Sequence, residues 1–379
     1  MSELPLPEII SALSTRDLTD PSHGPHALQE LVSGSVDALT ALWGCPARVI
    51  RSRPVVPVVD NYDHLGYPPD AVAREVRYTR YISDTCVLRS HTSAGIPPVL
   101  RRLARDQDAP AEVLLALPGI CYRRDSIDRL HTGTPHQLDL WLLRRAGRRL
   151  DHHDLSDMVG RLVDAVLPGR HWRWIAARHP YTTGGRQVDV IDGGEPVELA
   201  ECGLAAGHVL AGAGLDPAEW SGLALGMGLD RALMLRKGVP DIRLLRLPDP
   251  RVAGQMLDLH PYQPVSMMPP ARRDISIAAD DSADAETLGD QVRDALGDQA
   301  DLVEEVAVLS RTPYCDLLEP ARVRLGIDPG QVNVLLRITL RPVDRTLTAA
   351  EVNALRDRIY TAVHRGSTVE GGQLITGGR

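Results

Sequence analysis

Apolar and polar positions alternate along this chain with two periods, and the first clear one is helical. From His26 to Trp43 apolar residues return at helical spacing (Leu28, Leu31, Val32, Val36, Leu39, Leu42) and Gly44 follows. That predicts an amphipathic helix with a glycine stop. Residues 1–24 mix polar residues with Pro and Gly and read as a loose arm. Residues 47–59 (ARVIRSRPVVPVV) read as a strand whose prolines suit an edge. The stretch DNYDHLGYPPDA (60–71) reads as a loop. Strands are predicted at 113–122, 136–144, 186–192 and 196–202, and a glycine-rich strand running into a helix at 221–235. Turns rather than regular crossover helices separate them. The expectation is α+β: an antiparallel sheet with helices to one side.

A proline-rich break falls at 258–270 (LHPYQPVSMMPP). Beyond it the pattern predicts a strand at 273–279, a helix at 284–297, strands at 303–310 and 332–340, and a helix at 348–364. Thr348 and Glu351 have the spacing of a capping box. TVEGGQLI (368–375) supplies a short last strand. The order β-α-β-β-α-β is that of the ferredoxin-like split βαβ unit. Three parts follow: an arm at 1–24, a first domain at 25–258 and a second at 259–379.

Composition narrows the function classes. A length of 379 residues suits two domains. The net charge of −8 disfavours a nonspecific DNA binder. No apolar run is long enough for a membrane span, and MSELPLPEII lacks the pattern of a signal peptide. The five cysteines form no CxxC pair, so neither a structural metal site nor a disulfide framework is expected, and a reducing cytoplasm fits. Lysine occurs once, at Lys237, and phenylalanine is absent. About a dozen phenylalanines would follow from ordinary usage. Codon bias of a GC-rich genome is the bland explanation.

Three stretches are dense in polar groups: LRSHTSAG (88–95), GICYRRDSIDRLHTGTPHQLDLW (119–141) and SGLALGMGLDRALML (221–235). The second puts Arg123, Arg124 and Asp125 at the end of one strand and His136, Gln137 and Asp139 on the return strand. Such a hairpin can hold a phosphate by arginine and an ammonium by carboxylate and amide. Each piece alone has an ordinary reading: GMG marks close packing, RRD a solvated face, His91 a structural histidine. Their co-occurrence shifts the balance.

Here the sequence resembles the phenylalanyl-tRNA synthetases of the single-chain, mitochondrial-like type. YRRDSIDRLH…HQLD is similar to that family's motif 2, and GLALGMGLDRALML…GVPDIRLL to its motif 3. SHTSA, NYDHLGYPPD, PPARRDISI and RTLTAAEVNALRDRIY match four further family strings in order. The resemblance implies a class II catalytic domain joined to a ferredoxin-fold anticodon-binding domain. It implies that ATP and Mg²⁺ activate phenylalanine, or a close aromatic analogue, as an adenylate that is passed to tRNA(Phe). By motif position Arg123 binds the α-phosphate and the substrate carboxylate, and Arg231 clamps the far end of ATP. Asp125, His131, Pro135 and Asp230 fall at ATP or Mg²⁺ positions. His91, Ser93, Gln137 and Asp139 fall where the family holds the amino acid's ammonium and carboxylate. His179, Tyr181, Ala224 and Leu225 fall around its side chain.

Departures from the family pattern matter as much. FPFT has become HPYT, with His179 and Tyr181; the adenine-stacking phenylalanine is Pro135; motif 3 has Leu225 for Phe; the glutamine after HTSA is Ile96; the FHQxE glutamate is Asp139. Two readings stand. Either general loss of phenylalanine replaced pocket residues with neighbours, or the pocket selects another side chain. A synthetase free of its cognate residue can also be made when charged tRNA(Phe) is scarce or carries an analogue. Two alternative functions remain open: a paralogue activating an amino acid for a non-tRNA acceptor, and a non-catalytic binding paralogue. Carboxylates outnumber arginines from residue 261 onward, though Arg272, Arg273, Arg337 and Arg341 are candidates for a basic face toward tRNA. Monomer and homodimer are both open, and neither DNA nor a membrane is an expected partner.

Overall fold

The computed structural model describes residues 3–76, 78–124, 126–265, 269–342 and 345–367. Two compact units divide the chain. The first takes Met1–Arg123 and Thr134–Gln263; the second takes Arg124–Gly133 and Pro264–Arg379. The second unit thus includes a ten-residue piece that the sequence reading leaves in the first domain.

Among the described residues nine strands belong to the first unit: β1 (Ala47–Val49), β2 (Val55–Pro57), β3 (Cys86–Leu88), β4 (Glu112–Ile120), β5 (His136–Arg145), β6 (Trp172–Ala176), β7 (Thr182–Asp192), β8 (Glu195–Ala205) and β9 (Trp220–Gly228). Seven form one sheet in the order β1-β4-β5-β9-β8-β7-β6. β1 runs parallel to β4, and every other pair in this sheet is antiparallel. The strand expected at 47–59 is split: β1 lies at the sheet edge, while β2 pairs with β3 apart from it.

The helix Ala27–Trp43 forms as its pattern predicts. His26 Nδ1 accepts from the Leu28 N–H at its start, and Gly44 ends it in the left-handed region at φ 64°. With helices His152–Val166 and Leu229–Lys237 it covers one face of the sheet. Helices are not confined to that side. Ile96–Arg105 packs Ile96, Val99, Leu100 and Leu103 against Leu115, Leu117, Trp141 and Ala224 on the other face. The arm is not loose either. It carries a helix at Leu6–Ser14, Leu18 is 2% exposed, and the Leu18 N–H donates to His136 Nε2 at 3.1 Å.

The second unit holds β10 (Ala271–Asp280), β11 (Val303–Pro313) and β12 (Gln331–Leu340), antiparallel in the order β10-β12-β11. Helices Ala285–Leu296 and Ala349–Val363 bury Leu288, Val292, Leu355 and Ile359 against Ile277, Val334, Leu336 and Ile338. The Thr348–Glu351 capping box is present. Five elements of the expected order are therefore in place; the sixth, at 368–375, lies outside the described residues. Two of the four arginines of the expected basic face are paired with carboxylates. Arg337 makes two 2.8 Å bonds to Asp274, Arg341 lies 2.7 Å from Glu304, and Arg273 donates to Asn353 Oδ1. Among the described residues Arg272 carries no ion pair.

Candidate active site

Alternation along β9 decides what the site is built on. Gly222, Ala224, Gly226 and Gly228 share one face, and Leu223, Leu225 and Met227 the other. The small face forms a shallow floor. The register then places Gln137 beside Gly228, Asp139 and Glu201 on either side of Gly226, and Trp141 and Gly203 on either side of Ala224. A Cβ on Gly226 would sit 3.2 Å from Asp139 Oδ1, so glycine is what leaves that carboxylate room.

Asp139 is 1% exposed and neither oxygen makes a well-formed hydrogen bond. Burial pushes its pKa up to about 7, partly offset by the Ser93 and Thr92 hydroxyls and by Arg89, and reinforced by Glu201. His91 has the same character: both ring nitrogens are buried without a partner. Burial, then the Arg123 guanidinium, lowers its pKa to about 3, so the ring is neutral. It stacks on Tyr67 with ring centres 5.7 Å apart. Gln137 Oε1 accepts from the Thr92 N–H at 3.3 Å, and Arg123 Nε donates to the Ser90 carbonyl at 2.7 Å. Arg123, Gln137, Asp139, His91 and Ser93 are thus brought together beside the glycine floor.

The ring wall is a stack. Tyr181 lies between Trp141 and His179, with ring centres at 6.3 and 5.9 Å and planes inclined by 28° and 30°. His179 Nε2 is 3.1 Å from Glu201 Oε1. Burial alone would raise the Glu201 pKa, but His179, then Arg123, hold it below the usual range. Arg231, in the first turn of the helix after β9, donates to the Glu198 carbonyl at 3.1 Å.

Known proteins share this architecture. Residues 36–256 match the family model of the tRNA synthetases class II core domain (F). The chain belongs to the class II tRNA synthetase family. A Saccharomyces cerevisiae protein named "Phenylalanine--tRNA ligase, mitochondrial" is 26% identical, the match covering 84% of this chain and 81% of that one. A "Phenylalanine--tRNA ligase alpha subunit" of Prochlorococcus marinus is 33% identical over 64% of this chain and 70% of its own. An Arabidopsis thaliana "Phenylalanine--tRNA ligase, chloroplastic/mitochondrial" is 27% identical over 84% and 71%.

Two motif assignments are corrected in this class II synthetase. Leu225 is 1% exposed and lies on the face opposite Asp139, because a period of two puts it with Leu223 and Met227. Asp230 is closed to solvent. Its oxygens accept from the His136 backbone N–H and from His136 Nδ1, the latter at 2.9 Å. His136 Nε2 accepts from Leu18 N–H and faces Arg246 Nη2, so the ring proton is on Nδ1. That network braces β5 against the helix Leu229–Lys237 and leaves Asp230 unavailable to ATP or Mg²⁺.

Pro135 sits just before β5, where its carbonyl accepts from Cys121 N–H. His131 belongs to the second unit, its Nδ1 2.7 Å from Asp128. Asp125 lies outside the described residues. Sequence reasoning missed Glu201, Tyr67 and the buried Arg89. Arg89 Nε donates to the Ile120 carbonyl at 2.7 Å. Gly66, at φ 83°, turns the chain so that Tyr67 reaches His91. Among the described residues no group of three or more His, Cys, Asp or Glu is placed to hold a metal, and no helix is long and apolar enough to cross a membrane.

Proposed function

We propose that this class II synthetase activates phenylalanine, or a close aromatic analogue, with ATP and transfers it to tRNA. One observation carries the reading. Arg123, Gln137 and two buried unpaired groups, Asp139 and His91, converge on a glycine floor beside an aromatic stack. Asp139 meets the substrate ammonium, which supplies the partner it lacks. Arg123 spans the substrate carboxylate and the α-phosphate. A carboxylate oxygen attacks the α-phosphorus in line, the bond to the bridging oxygen breaks, and pyrophosphate leaves with the electron pair. The carboxyl adenylate remains, and a tRNA ribose hydroxyl then displaces AMP from it. Positioning and fixed positive charge carry such steps. Arg231 holds the distal phosphates.

Mg²⁺, bound with ATP, adds charge neutralisation on the phosphates. Glu198, exposed on β8 with its backbone carbonyl held by Arg231, would be the carboxylate to meet it. The five cysteines are unpaired, which suits a reducing compartment such as the cytoplasm.

Amino-acid-dependent ATP–pyrophosphate exchange tests the first step. Aminoacylation of tRNA(Phe) tests the second. The pairing of Arg337 with Asp274 and of Arg341 with Glu304 favours one other reading, an adenylate passed to a non-tRNA acceptor. Exchange without charging would select it.

A further inference from the structure

The site's floor is glycine where its flanks are acidic. Asp139, Gly226 and Glu201 form one register row across β5, β9 and β8. Two carboxylates therefore stand on the same face about 10 Å apart, across a strand that offers no side chain between them. An α-amino acid bridges such a gap, with its ammonium at Asp139 and its side chain toward Glu201.

Glu201 is half committed. Oε1 lies 3.1 Å from His179 Nε2, and Oε2 has no partner among the described residues. The His179 side chain is 8% exposed and that of Glu201 43%, so the pair is anchored behind the wall and open at its surface. Tyr181 and Trp141 continue that wall, and Ala224 and Gly226 keep the floor low beside it. A plain phenyl ring seated there would strip water from Glu201 and return no hydrogen bond. A phenol O–H, a ring N–H or a ring amino group would pair with it.

We propose that Glu201, oriented by His179, is a specificity residue, and that the preferred amino acid carries a hydrogen-bond donor on its ring. This rests on the synthetase reading above. Composition points the same way. A ligase that placed such an amino acid on tRNA(Phe) would corrupt every phenylalanine codon. A chain of 379 residues with no phenylalanine is made faithfully beside its own product.

The test is pyrophosphate exchange by the full-length protein with phenylalanine, tyrosine, histidine, tryptophan and 4-aminophenylalanine. The best donor-bearing substrate is expected to exceed phenylalanine by about 100-fold in kcat/KM. Glu201→Gln and His179→Phe each lower that ratio at least about tenfold, through KM for the amino acid and not for ATP. Phenylalanine as the best substrate overturns the proposal and leaves the synthetase reading intact. So does a ratio that Glu201→Gln leaves unchanged. No exchange with any amino acid overturns both. If neither variant folds, the ranking by the unaltered protein decides alone.

Discussion

β5 buries polar side chains on both of its faces, and the two sets are treated oppositely. On the helix-covered face His136 is 0% exposed and fully paired, with Asp230, Leu18 N–H and Arg246 around it. Three residues on, Asp139 is equally buried with only the Ser93 and Thr92 hydroxyls turned toward it and neither oxygen well bonded, and the His91 ring nitrogens beside it lack partners. A paired buried group costs the fold little; an unpaired one costs about 1–3 kcal/mol. Burial alone therefore does not separate structural from functional polar groups. Satisfaction narrows the choice, and location completes it: among the described residues Thr40 Oγ1 and Arg356 Nη1 are also buried without a partner, whereas Asp139 and His91 lie beside the glycine floor.

The largest effect that bears on this contrast is His136→Ala. It leaves the Asp230 carboxylate buried without its main partner, and stability in urea is expected to fall by about 3–5 kcal/mol. Exchange per folded molecule stays near the parent value; selective loss of exchange would place His136 in the chemistry instead. Arg123→Ala is expected to do the reverse, cutting exchange by about 10²–10³ with the thermal midpoint nearly unmoved. Leu225→Ala removes a core side chain at about 2–4 kcal/mol. A changed KM for the amino acid, with stability kept, would return Leu225 to the pocket.

Asp139→Asn is the subtlest. It weakens amino-acid binding yet raises stability at pH 8 by about 1–3 kcal/mol, since a buried unpaired charge is gone. The sign follows from the proton. The folded state holds the Asp139 proton up to about pH 7, against an ordinary value of 3.8. The unfolded chain releases it earlier, so stability falls as pH rises through that window. In Asp139→Asn this slope is absent. Amino-acid kcat/KM runs the other way. It falls by about tenfold per unit below pH 7 as the carboxyl is neutralised, provided the ammonium pairs with it.

Much of this was legible along the chain. Capping signals at Gly44, Thr348 and Glu351 and the strand runs of β4, β5, β7 and β8 are local patterns, and they hold. The helix His152–Val166 has equally regular apolar spacing from Leu155 to Val166 and a capping box at Asp151 and Asp154, so it too is written in local pattern. Leu225 and Asp230 were assigned by motif position. Alternation along SGLALGMG already sets Leu225 opposite Ala224. Glu201 and Tyr67 had no local signal. One meets the site through β8–β9 register, the other through the Gly66 turn.

By itself the sequence determined the family and most of the elements, from the helix Ala27–Trp43 to the capped helix Ala349–Val363. Helical and strand periods and caps act over a few residues, so they survive without tertiary context. Only the tertiary structure decided which polar groups are paired. His136 finds Asp230 across 94 positions, and Asp139 finds no well-formed hydrogen bond, through strand register and burial that the whole packing sets. Hydrogen-bond satisfaction depends on distances of about 3 Å between residues far apart in the chain, and no local pattern encodes them.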